Sequence, residues 1–102
     1  MHQAKTIYLK EHHTASGLLV AVCDKELLGQ SFQEAELRLV VTERFYKGDE
    51  ATEDEVIASL RRATIANVVG RRAVHCAVEH EFIDEANVRV IDGVPHAQMV
   101  RL

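Results

Sequence analysis

Six histidines, two cysteines and two adjacent pairs of arginines are the residues here that could do chemistry. Cys76 and His80 are spaced four apart, as are His75 and Glu79. On a helix each pair shares a face and offers two ligands to a metal. A zinc site needs a third and a fourth ligand, and no Cys-x-x-Cys or His-x-x-x-His spacing supplies them. The chain is therefore expected to hold no metal and no cofactor. Cys23 ends the most apolar run, Leu18 to Cys23, just before Asp24. As a nucleophile it would need exposure, a lowered pKa and a base within reach, for which His96 is the candidate. Reduced thiols in a core are the simpler expectation for both cysteines. His12-His13 falls in a polar stretch and reads as exposed loop. With no serine elbow and no phosphate-cradling glycine loop, the reading leans away from an enzyme.

Binding chemistry has two candidate locations. Arg61-Arg62 and Arg71-Arg72 flank a helix break around Asn67 and Gly70. If Asn67 stops one helix and Gly70 turns the chain into the next, the N–H groups that open the second helix lack internal partners. Arg71 and Arg72 then add positive charge where the helix dipole is already positive, a field suited to an anion. One glycine is too few for a helix-hairpin-helix motif, so direct nucleic-acid binding has weak support. The second location is Gly93-Val94-Pro95-His96-Ala97-Gln98. Glycine and proline fix a loop shape, His96 and Gln98 then project from the emerging strand, and rigid loops often carry binding residues. The site candidates are thus Asn67, Gly70, Arg71, Arg72, His96 and Gln98.

The elements that must position them are those of a single domain, residues 1–102. The chain has 102 residues, 47% of them hydrophobic, which suffices for one small core. A net charge of −4 argues against a general nucleic-acid coat but leaves room for a local basic patch. No apolar run approaches the roughly 18 residues of a membrane helix. The N-terminus turns polar before any export signal develops, and two cysteines make no disulfide framework. A soluble cytoplasmic protein is the expectation, with no membrane partner.

Strand-like alternation occupies residues 5–10. Leu18 to Cys23, apolar on both faces, belongs in the centre of a sheet, where truncating Leu19 should be severe. Residues 24–29 suit a helical turn, and residues 37–42 a third strand. Thr52 with Glu55 makes a capping box for a helix whose stripe is Val56, Leu60, Ala63 and Asn67. A second helix spans about Arg71 to Phe82, with Val74, Ala77 and Val78 inward. Val88, Val90 and residues 98–102 read as two strands joined by Asp92 to His96. The expected fold is α+β: a mainly antiparallel sheet of about five strands with a two-helix layer on one face.

Four blocks, VCDKELLG (22–29), ERFYKG (43–48), ATIANVVGRRAV (63–74) and GVPHAQMVRL (93–102), resemble an archaeal family called domain of unknown function 424. The resemblance implies a small, stand-alone cytosolic protein with no assigned reaction, so no catalytic residue carries over. It adds Asp24, Phe45, Tyr46, Asn67, Gly70, Pro95, His96 and Gln98 as motif residues. The N-terminal segment carries none of the motifs. Two functions remain open. One is a non-enzymatic module for a protein or ribonucleoprotein partner. The other is a small enzyme or anionic-ligand-binding protein with a polar cleft around Asn67 and His96. A flat face uniting the four arginines would favour the first, and a concave meeting of Asn67 and His96 the second.

Overall fold

A computed structural model describes residues 4–101. Strands β1 (Ile7–Thr14) and β2 (Gly17–Asp24) form an antiparallel hairpin with Thr14 opposite Gly17. After a 3₁₀ turn at Lys25–Leu27, β3 (Ser31–Glu34) and β4 (Leu37–Val40) make a second hairpin. Next come α1 (Glu43–Tyr46), β5 (Asp49–Ala51), α2 (Glu53–Arg62), β6 (Ile65–Val69) and α3 (Arg71–Glu79). A 3₁₀ turn at Glu85–Asn87 leads into β7 (Arg89–Ile91) and β8 (Val94–Val100).

Six strands make one sheet in the order β5-β1-β2-β6-β8-β7, and β3-β4 stand apart. All neighbours in the large sheet are antiparallel except β2 and β6. The fold is α+β and the sheet is mainly antiparallel, but it has six strands, not about five, and one parallel pair makes it mixed. The correction comes from β6. By sequence Ile65-Ala66-Asn67-Val68-Val69 continues a helix, because Asn67 falls on the Val56–Leu60–Ala63 stripe. A short apolar run cannot be told from a buried helix by periodicity alone. Here α2 ends at Arg62, and the β-branched run pairs parallel with β2, Leu19 beside Ile65 and Cys23 beside Val69.

Residues paired across a sheet share a face. On one face Leu18, Val20, Val22, Ala66, Val68, Ala97 and Met99 pack in a single cluster with Val56, Ile57 and Leu60 of α2 and Ala73, Val74, Cys76 and Ala77 of α3. On the other, Ala21, Cys23, Val69, Ile91 and Val94 pack with Leu39, Val41 and Tyr46 from the β3-β4 and α1 region. That second cover is partial. Leu19, Ile65, Asn67, Gln98 and Val100 lie on the same face and belong to neither cluster.

Other expectations shift accordingly. β2 is central, but Leu19 is only half-buried and faces the partly covered side. His12 and His13 are strand residues, not loop, with His13 exposed and His12 half-buried. His12 stacks on Phe45 with centroids 5.0 Å apart, and its Nε2 lies 2.8 Å from the Phe45 carbonyl oxygen. β7 is offset by one residue from the Val88/Val90 reading: Ile91 is buried and Val90 is 55% exposed. The β7-β8 connection is only Asp92-Gly93, both at positive φ (51° and 79°), the requirement of a tight two-residue hairpin turn. Leu102 of the expected last strand lies outside the described residues.

Candidate functional site

The helix-start candidates surround the end of β2. Gly70 caps α3 at φ 104°, a conformation suited to glycine, and a Cβ there would stand 2.4 Å from the Asp24 carboxyl carbon. Asp24 closes β2 and is 2% exposed. Its Oδ1 accepts from the Ala73 N–H at 2.9 Å and its Oδ2 from the Arg72 N–H at 3.1 Å. An internal carboxylate thus fills the place where the sequence suggests an external anion. The Arg72 guanidinium lies 4.0 Å from Asp24 Oδ2 and pairs with Glu26. Burial pushes the Asp24 carboxyl up, and the N–H groups of Ala73 and Arg72 pull it back. Arg71, with no ion pair among the described residues, lines a cleft of about 500 Å³ with Arg72, His75, Glu53, Thr6 and Ile7.

The other candidates meet on the partly covered face. Asn67 of β6 stands opposite Gln98 of β8, and Val69 opposite His96. Asn67 and His96 are therefore diagonal neighbours on one face. His96 and Gln98 project from a strand, as expected, although β8 already begins at Val94 and takes in Pro95 and His96. Arg89 of β7 stands opposite His96. Asn87, Arg89, His96, Ala97 and Gln98 line a cleft of about 290 Å³, which Asn67 does not line. Among the described residues, His96 Nδ1 is buried without a hydrogen-bond partner. Burial, then the charge of Arg89, holds the His96 pKa below the ordinary imidazole value.

The six sequence candidates therefore separate into two groups. Gly70, Arg71 and Arg72 gather at the start of α3, and Asn67, His96 and Gln98 on the open face. The four arginines do not unite: Arg61 and Arg62 precede β6, while Arg71 and Arg72 follow it. Arg62 pairs with Glu11, and the Arg61 carbonyl accepts from Arg101 at 2.6 Å. Asn87 and Arg89 are not among the sequence candidates: Arg89 meets His96 only through the β7-β8 register, and Asn87 ends the turn that leads into β7.

The thiols offer little chemistry. Cys23 and Cys76 are fully buried, and burial pushes their pKa values to about 12 and about 11. His75 and Glu79 form an exposed pair at 3.0 Å. Among the described residues no three His, Cys, Asp or Glu side chains cluster as metal ligands, and no helix is long and apolar enough to cross a membrane.

Fold and site together define a small α+β fold in which helices pack on one sheet face and the other is left partly open with polar groups upon it. The chain belongs to the family described as protein of unknown function (DUF424), whose model matches residues 12–102. The match omits the N-terminal segment, where the motifs are missing. Its structure is similar to the crystal structure of an uncharacterized conserved protein from the archaeon Methanopyrus kandleri. The two share 26% identity and a TM-score of 0.78 over 94% of each chain. No curated protein matches the sequence.

Proposed function

We propose that this protein is a non-enzymatic binding module that takes a protein or ribonucleoprotein partner on the open half of its sheet. One observation carries the reading. Asn67, His96, Gln98 and Arg89 stand together on this face, and their side chains make no hydrogen bond or ion pair among the described residues. Beside them Leu19, Ile65 and Val100 leave apolar surface, Val100 being 55% exposed. Polar groups with unmet hydrogen-bonding capacity next to apolar area are the ingredients of an interface. A cytoplasmic location fits this reading. The test is capture from extract of the cells that make the protein, with and without ribonuclease. The double variant Asn67→Ala, Gln98→Ala should lose the specific partner, and ribonuclease sensitivity would separate the two partner classes. Retention of the same partner by the folded double variant would remove this face from the interaction.

The second reading, a small enzyme or anionic-ligand-binding protein, draws on the cleft beside His96. Its enzymatic form lacks a nucleophile there: no cysteine or serine lines that cleft, and both thiols are buried with raised pKa values.

A further inference from the structure

We propose that the cleft between β7 and the outer half of β8 is an oxyanion subsite, taking a carboxylate or phosphate group on Arg89, His96, Asn87 and Gln98. The inference deepens the binding-module reading, since it shares His96 and Gln98 with the open face and supplies the charge of the group the partner would present there.

The argument starts from charge. The protein carries a net −4, yet no Asp or Glu lines this cleft. The paired positions of this face on β2, β6, β7 and β8 hold no carboxylate either. Arg89 is exposed and has no ion pair among the described residues, whereas Arg62 and Arg72 both have one. A guanidinium is always charged and presents a planar fork of donors matched to carboxylate and phosphate oxygens. The glutamate that joins the nearby turn, Glu34, lies beyond the Ile91–Val94 pair and accepts from the Asp92 N–H at 2.8 Å.

His96 adds a second donor. The charged group acting on it is Arg89, and burial and that charge both favour the neutral ring. Nδ1 is buried without a partner. Burying an unmet N–H is rarer in proteins than burying an unmet acceptor, so the ring proton belongs on Nε2. That leaves Nε2–H to meet a ligand. The amides of Asn87 and Gln98 bring further N–H donors, and neither side chain has an internal acceptor among the described residues. Four side chains able to donate, one of them a fixed cation, without a carboxylate between them, match an anion's oxygens.

The test is an NMR titration of the whole chain with sodium phosphate and, separately, sodium acetate, with sodium chloride at equal ionic strength as the control. Saturable shifts at Asn87, Arg89, His96 and Gln98, absent with chloride, support the subsite, and the anion that binds tighter assigns the group. Binding should raise the His96 pKa, because an adjacent anion favours the imidazolium. Arg89→Gln should weaken binding at least about tenfold, the loss of one charge-assisted contact. Gln98→Glu should abolish it by placing a like charge in the cleft. Both positions are exposed, so the variants should fold, which the amide spectrum checks. No saturable shift at these residues, or unchanged affinity in Arg89→Gln, would overturn the subsite. Partner capture separates the two proposals. If the double variant Asn67→Ala, Gln98→Ala loses the partner but no anion gives saturable shifts at these residues, the module stands and the subsite falls. If phosphate or acetate binds but neither variant alters capture, the subsite stands and the module reading falls.

Discussion

Arg72 and Arg89 make an instructive pair. Arg72 lies at the start of α3, where its guanidinium meets Glu26 and its backbone N–H meets Asp24. Arg89 lies on the open face with two amides and an imidazole, and none of the four has an internal partner among the described residues. The contrast extends across the sheet. On the helix-covered side the buried hydroxyl of Ser59 donates to Glu11 at 2.6 Å, and Asp24 accepts two backbone N–H groups. On the open side His96 keeps a buried nitrogen unpaired. Buried polar groups left unmet are uncommon in native proteins. The difference teaches that the adjacent arginine doublet, conspicuous in sequence, is partly engaged in holding the fold, while the solitary arginine is free to meet something else.

The sharpest way to break this comparison is to cut apolar side chains on each side. Leu60→Ala, on the fully buried inner face of α2, should cost about 2–5 kcal/mol. Leu19→Ala, half-buried on the open face, should cost about 1 kcal/mol. Denaturant midpoints of the two variants measure this, and equal losses would mean that the open face is covered after all.

A smaller contrast concerns the polar groups. Asp24→Ala leaves the N–H groups of Arg72 and Ala73 without their acceptor and should cost about 1–3 kcal/mol. Asn67→Ala removes no internal hydrogen bond and should stay within about 0.5 kcal/mol of wild type. Thermal unfolding of both variants decides, and an Asn67 loss as large as that of Asp24 would show a structural role for the amide.

The smallest effect is a pH dependence. The folded pKa of His96 lies below its usual value of 6.5, so the fold favours the neutral ring. Above 6.5 both states are neutral and stability is undiminished. As pH falls through 6.5 the unfolded chain takes up the proton first, and stability declines until the folded-state pKa is passed. Between pH 8 and pH 5 the wild type should therefore lose stability relative to His96→Gln. Parallel stability profiles for the two proteins would show that Arg89 and burial do not disfavour the imidazolium.

How much of this was legible beforehand depended on whether the signal was local. The capping box was legible, and it forms: Thr52 Oγ1 accepts from the Glu55 N–H at 3.2 Å, and Glu55 Oε1 from the Thr52 N–H at 2.9 Å. So was the central position of β2, because a strand buried on both faces reads as a continuous apolar run. β6 was hidden by length, since five residues continue a helical stripe as readily as they make a strand. The role of Asp24 was hidden by distance: its carboxylate meets Ala73 at a sequence separation of 49. Nothing in VCDKELLG says which helix that aspartate caps. On the open face, the grouping of Asn67, His96 and Gln98 follows from the β6-β8 register alone. Their residue types drew attention, and the pairing that unites them is a tertiary fact.

The parallel pairing of β2 with β6 also governs the order in which the chain can fold. β1 and β2 are joined by two residues and can close at once, but Leu19 finds Ile65 only 46 positions later. Closing so long a loop is entropically slow compared with forming a hairpin. Until β6 arrives, the most apolar strand of the protein has an unpaired edge, the kind of surface on which nascent chains associate wrongly. A ribosome must therefore release residues beyond Val69 before that edge is sealed, and a nascent chain halted within α2 would present it to any chaperone nearby.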